Sequence, residues 1–454
     1  MLTKNILLSL CLIIIVTSCK KQMESVSDVV VIGGGLMGSS AGWHIAKEGL
    51  SVLLLEMQDS IYTHGSSYGK ARIARSSNRG SDIWSFLHNK SLVETKILID
   101  FLNSSEGEDS YFLNDVYTTS PVTYVGKTKI YESLYASLQR QKVIYDMAVT
   151  FEEGKSNYGV ILPDSVLIQR EYNEYSGIMN PASLIKLLHK GIRKKGSNIK
   201  YNVKVTDIYF DEIRNTYKIE IINTKNSTKE CLYTKKIVSA AGPYTGQMLI
   251  KIAPYFQDLI NPQRVFLAFL KIKKETYSKL NAVQQKKLLT FYPVINSAKG
   301  TRKGSFFSMI EYYEEGLPVI KIGGHFQRTN IENLDEVWKI GLTQKELEWS
   351  VNSTIDYMKL LDLPIGKEDL EIVDGYSCVY SLTDSEVPLV TPIKSQDNTP
   401  NHSFVVMGGM SGVGAKGAMT YGLLAADAIR EETDQTDSLY FGISEAMGFN
   451  RLMK

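Results

Sequence analysis

The chain lacks a charge bias: 51 Lys and Arg stand against 49 Asp and Glu, leaving +2 over 454 residues. So small a balance gives no global drive toward nucleic acid or anionic surfaces, and no nucleic-acid partner is expected. The basic run HKGIRKKG (189–196) reads as the end of an amphipathic helix with a solvated face. Histidine and cysteine are also scarce. Six histidines and four cysteines are scattered with no pair at metal-ligand spacing, so no metal site is expected. A disulfide framework is not implied either. The apolar run at 6–16 is too short to cross a bilayer comfortably. The length exceeds one ordinary core and predicts two domains.

That short run does fit a signal peptide: an early lysine, the apolar stretch, then small residues before Cys19. VTSC (16–19) resembles a bacterial lipobox, in which the cysteine is acylated and becomes the new N-terminus. Residues 1–23 are therefore expected to be leader and anchor. The mature protein is expected to be an exported lipoprotein, held at the periplasmic or outer face of a membrane through Cys19. Cys11 leaves with the leader, and Cys231 and Cys378 remain as thiols of the folded body. No twin-arginine pair precedes the run, so export of an unfolded chain is implied, and any cofactor is acquired afterwards.

The mature chain opens with DVVVIGGGLMGSSAGWHIAKEGLSVLLLE (28–56). Residues 29–32 form a continuous apolar run, as a strand buried on both faces requires. Gly33, Gly35 and Gly38 make G-x-G-x-x-G; a helix is predicted from Met37 to Lys47 and a second buried strand over 51–55, ending at Glu56. A glycine fingerprint between strand and helix, with an acid roughly 20 residues on, is the context of dinucleotide binding. The glycines let backbone approach a pyrophosphate, the helix N-terminus offers unpaired N–H groups, and Glu56 accepts from ribose hydroxyls. This motif alone does not separate NAD from FAD.

Five further segments, in order, carry a resemblance: THGSSYGKARIARSSNRG (63–80), IVSAAGPYTG (237–246), VIKIGGH (319–325), YSCVYS (376–381) and GMSGVGAKG (409–417). Together they resemble the monomeric sarcosine oxidase and N-methyltryptophan oxidase group of D-amino-acid-oxidase-like flavoproteins. The resemblance implies FAD as the cofactor, with contacts from Leu36, Met37, Ser66, Arg72, Val205, Gly242, Gly412 and Gly414. Cys378 matches the cysteine bonded to the flavin 8-methyl carbon. Arg75 and Lys416 match the pair that holds the substrate carboxylate. Lys321 matches the lysine that promotes reaction with dioxygen, His325 follows it by four residues, and Tyr380 is expected near substrate. Two departures stand out. Tyr68 replaces a histidine near the flavin, and the stretch from about 102 to 175 is longer than in that family.

The residue chemistry agrees. A lysine in a loop otherwise almost all glycine and small residues can reach into a pocket, and the loop precedes a good helical stretch at 418–429. A guanidinium supplies a directional fork and an ammonium a point charge for one carboxylate. Lys321 lies mid-strand among Val319, Ile320 and Ile322, where a lysine is costly to bury without a partner or a task. The expected fold is α/β: a Rossmann-like FAD-binding domain, discontinuous in sequence (25–101, 176–249, 385–454), with a mostly antiparallel β-sheet substrate domain (102–175, 250–384). A hairpin is predicted at 305–325 around the turn EEG. The expected activity is oxidation of the C–N bond of a secondary, N-methyl or cyclic, amino acid to an imine, with dioxygen reduced to hydrogen peroxide, by a monomer. A dehydrogenase using a quinone or carrier protein, and a lipoprotein that only binds through a flavin fold, are the alternatives.

Overall fold

The computed structural model describes residues 27–77, 82–104, 110–331, 333–432 and 434–453. The leader expected at 1–23, with Cys11 and Cys19, lies outside the described residues. Among those described, no helix is long and apolar enough to cross a membrane.

Two large sheets organise the chain into a mixed α/β fold. The first has six strands in the order Leu389–Lys394, Pro400–Gly408, Lys236–Ser239, Val29–Ile32, Val52–Leu55, Asn198–Lys200. Its pairings are parallel except that between the two C-terminal strands. Alternation sends Val29, Val31, Val52 and Leu54 into a core shared with helices Leu36–Lys47, Pro181–Lys194 and Ala418–Arg430. Val30, Ile32, Leu53 and Leu55 point the other way, beneath an antiparallel meander over Val203–Asp211, Thr216–Asn223 and Lys229–Thr234. Both faces are thus covered, which is why these short strands are apolar throughout. Leu249, Phe256 and Ile260 belong to the same core.

The second sheet has nine strands and is antiparallel except where Val294–Asn296 meets Val122–Lys127. It contains the predicted hairpin, Phe306–Glu314 and Leu317–Gly324, joined at Glu315 and Gly316, both at positive φ. Strand Asn261–Ile272 pairs with Leu317–Gly324 on one side and with Leu370–Leu382 on the other. The long 102–175 stretch supplies strands Val122–Lys127, Tyr145–Ala148 and Val166–Glu171 to this sheet. The basic run at 189–196 does close an amphipathic helix, Pro181–Lys194, although His189 is buried rather than solvated. Its ring takes hydrogen bonds with Ser39 (2.8 Å) and Tyr201 (2.7 Å).

Candidate active site

A cavity of about 990 Å³ runs between the two sheets. At one end is the glycine turn. The helix opens one residue before the expected start, at Leu36, with Gly35 as its N-cap. Gly33 has φ +97, and a Cβ there would lie 2.4 Å from the Ala240 carbonyl oxygen, so only glycine fits. Gly38 does not line the cavity. It faces the strand: an added Cβ would meet the Gly33 oxygen at 1.8 Å, so its work is close helix–strand packing. Gly33, Gly35, Leu36 and Met37 do line it, as do Glu56, Val205 and Gly242. Glu56 is buried and accepts from the Gly34 N–H (2.7 Å) and the Gln58 N–H (2.8 Å). Lone pairs remain on both carboxylate oxygens for ribose hydroxyls. Burial raises its carboxyl above the usual range. Tyr62, which sequence reasoning missed, donates to the Gly34 carbonyl and walls the same end.

The other end gathers cations. Arg72, Arg75, Lys321 and Lys416 all line the cavity, although they come from residues more than 300 positions apart. Arg72 donates to the carbonyls of Ser66 (2.9 Å), Tyr68 (2.5 Å) and Ala71 (2.8 Å), which fastens the 66–72 loop around it. Ser66 in turn donates to the Val379 carbonyl (2.8 Å), joining that loop to the strand bearing Cys378 and Tyr380. Tyr68 is not on the cavity wall; its ring packs edge-on against Tyr376.

Lys416 is buried at 8% exposure, and its ammonium is pulled down to about 7, by burial first and then by Arg75. The opposing influence is Glu171, fully buried at the end of its strand. Glu171 accepts from the backbone N–H groups of Ser76 (2.7 Å) and Ser77 (3.0 Å) and from the Ser176 hydroxyl (2.5 Å). It therefore fixes the chain immediately after Arg75 while supplying negative charge to Lys416. His88, also fully buried, is a third neighbour of this pair; burial lowers it to about 4, so it is neutral.

Lys321 has both a partner and a burial cost. Its ammonium donates to the Ala71 carbonyl (2.5 Å) and forms an ion pair with Glu311. Burial, then Arg72, lowers it to about 7. Sequence reasoning missed Glu311, although strand alternation places it on the same face as Met309, the cross-strand partner of Lys321; the register shift comes between Ile310 and Tyr312.

Cys378 is a free, buried thiol on the cavity wall, with Arg72 and Lys321 as cationic neighbours that oppose the upward effect of burial. Tyr380 lines the cavity beside it, its hydroxyl pushed up to about 12 by burial. The loop over this end is held by the Ser411 N–H on the Ser381 carbonyl (2.9 Å), with Gly412 at φ +79. A Cβ on Gly412 would meet the Tyr380 ring at 2.9 Å. Gly412 and Gly414 both line the cavity. His325 lies beside Arg328 and is held at about 4 by burial and by Arg328 and Arg302, so it is an uncharged acceptor.

A family model described as FAD-dependent oxidoreductase (DAO) matches residues 28–428. The chain belongs to that family. It is similar to a probable sarcosine oxidase of Arabidopsis thaliana, 23% identical over 89% of this chain and 88% of that one. It is also similar to monomeric sarcosine oxidase of a Bacillus species, 23% identical over 56% of this chain and 61% of the relative. With the latter, the match spans less than two thirds of the relative's length. Among solved structures, NikD, an amino acid oxidase of nikkomycin biosynthesis, shares the fold at TM-score 0.66 and 16% identity, over 91% and 96% of the two chains. L-proline dehydrogenase from P. horikoshii does so at TM-score 0.64 and 15% identity, over 91% and 96%. The residues present fit the family's cofactor: a glycine cradle closed to any side chain, an acid at the ribose position and a cavity long enough to reach the cations.

Proposed function

We propose that the protein oxidises the C–N bond of a secondary amino acid, N-methyl or cyclic, to an imine, with dioxygen reduced to hydrogen peroxide. The observation that carries this reading is the convergence of Arg75 and Lys416 on the cavity that begins at the glycine cradle. Two cations, one of them deeply buried, are matched to one anionic group. Arg75 and Lys416 bind the substrate carboxylate and so fix the amine's position. Glu171 opposes the downward pull of burial and Arg75 on the Lys416 ammonium. His325 and the Tyr380 hydroxyl orient the amine, which is bound neutral, so no residue is required as general base. Bound FAD would accept the two electrons and the hydrogen of the substrate carbon. The glycine cradle and Glu56 would hold its nucleotide, and Cys378 would hold it covalently. Lys321 would place positive charge where dioxygen is reduced.

One observation favours a second acceptor. The Lys321 charge is already compensated by Glu311, which weakens its field toward superoxide. A dehydrogenase passing electrons to a quinone or carrier protein follows from that arrangement. Measuring peroxide formed per amine consumed, across a panel of N-methyl and cyclic amino acids, separates the two. A ratio near one supports the oxidase; amine consumption only with an added artificial acceptor supports the dehydrogenase. Flavin colour retained in acid-precipitated protein supports the Cys378 link, and colour lost to the supernatant removes it.

A further inference from the structure

Among the described residues, eight Lys or Arg side chains line the cavity and Glu56 is its acidic lining residue, occupied at the nucleotide end by backbone N–H groups; Glu311, Asp335 and Glu386 pair with Lys321, Lys204 and Arg302 from beside it. Arg75 and Lys416 answer one carboxylate. Beyond Tyr380 lies a second group of cations that the proposed chemistry does not use.

It is assembled from three loops. Arg302 comes from the loop before strand Phe306–Glu314, Arg328 follows strand Leu317–Gly324, and Glu386 follows strand Leu370–Leu382. Both guanidiniums reach the same Glu386 carboxylate oxygen, Arg302 in close contact and Arg328 at 3.4 Å. Arg328 lies over the Tyr380 ring at 5.4 Å and against His325, and its buried Nε has no hydrogen-bond partner. Lys127 and Lys129 line the same chamber, the Lys127 stem passing beside Gly300 of the Arg302 loop. With His325 neutral, two arginines on one carboxylate leave a net positive charge next to Tyr380. The Arg302–Glu386 pair is 53% and 41% exposed, so solvent screens it and an incoming anion can compete for it. Glu386 itself demonstrates that this place accepts a carboxylate.

We propose that Arg302 and Arg328, with Lys127, form a subsite for a second carboxylate, making the substrate an N-substituted dicarboxylic amino acid. This rests on the amine-oxidising reading above. The guanidinium fork suits a carboxylate, and Arg302 lines the same cavity as Arg75 and Lys416.

The test compares N-methyl-L-aspartate and N-methyl-L-glutamate with sarcosine and N-methyl-L-alanine, following anaerobic flavin bleaching so that the acceptor is irrelevant. A charge-assisted contact predicts a kcat/KM preference for the diacids of about ten- to a hundredfold. In R302M and in K127M the diacid-to-monoacid ratio falls by about tenfold or more. Binding gives an independent readout: glutarate perturbs the flavin spectrum at lower concentration than propionate in the parent, and the difference shrinks in R302M. Bleaching by the monoacids with no diacid preference overturns the subsite and leaves the amine-oxidising reading intact. A preference that survives both substitutions overturns the assignment to these residues. Bleaching by no amine at all overturns both readings.

Discussion

Residue chemistry decides the pH behaviour of carboxylate binding. Lys416 is held at about 7 by burial and Arg75, with Glu171 opposing them and neutral His88 beside the pair. The sign follows directly: the ammonium is charged below that value, and its grip on an anion is lost as pH rises through it. The Kd of propionate, which has no amine to titrate, is expected to be flat below about pH 6 and to rise as pH passes 7, up to about tenfold per pH unit. Glu171→Gln keeps the side-chain shape but removes the charge that raises Lys416. The rise is then expected to begin at lower pH, and identical profiles in parent and variant would reject the role given to Glu171. The sequence exposed the cations but not this carboxylate. Lys416 stood out because everything around it is small, whereas Glu171 follows Gln169 and Arg170 at the polar end of its strand, with nothing in its neighbourhood to mark it as buried. Glu311 was legible in principle, since it lies two residues from Met309, which pairs with Lys321, but only the strand register reveals that pairing.

At the scale of elements, legibility followed burial on two sides. Strand Val29–Ile32 and the helix end at Lys47 match their sequence reading, because a continuous apolar run between turns admits few alternatives. The second strand starts at Val52 instead of 51, since the Ser51 N–H and hydroxyl are taken by the Asp28 carboxylate before the ladder begins. Unread in the sequence was the device that locks the cysteine-bearing strand. Arg264, on the strand paired with it, donates to both Glu346 oxygens (2.6 and 3.1 Å), to the Ser377 hydroxyl (2.8 Å) and to the Gly341 carbonyl (3.1 Å). Both partners of the ion pair are buried. Arg264→Met leaves Glu346 without compensation and is expected to cost about 3–5 kcal/mol in urea unfolding. Replacing both residues by methionine is expected to recover much of that. A single variant as stable as the parent would show that the pair contributes nothing to holding Cys378 in place.

For the whole molecule, the nucleotide end depends on stretches that are distant in sequence: residues 29–56, 203–242 and 400–416 meet only in the completed six-stranded sheet and its loops. FAD that bridges them binds the folded state alone and so stabilises it by mass action, about 2.7 kcal/mol at a hundred times Kd. A thioether at Cys378 changes the form of that dependence, because a tethered cofactor has no free concentration to vary. It also matters for the proposed exported lipoprotein, whose folding outside the cytoplasm would leave it unable to replace cofactor once lost. Palmitate labelling of the full chain tests the tether itself, and absence of label at Cys19 rejects it. The cofactor argument has its own test. In Cys378→Ser, with the small polar side chain leaving the wall nearly unchanged, Tm is expected to climb with added FAD and the flavin to separate on acid precipitation. In the parent, Tm is expected to be insensitive to added FAD. If the parent's Tm climbs with FAD as the variant's does, the cofactor is exchangeable and Cys378 is a wall residue only.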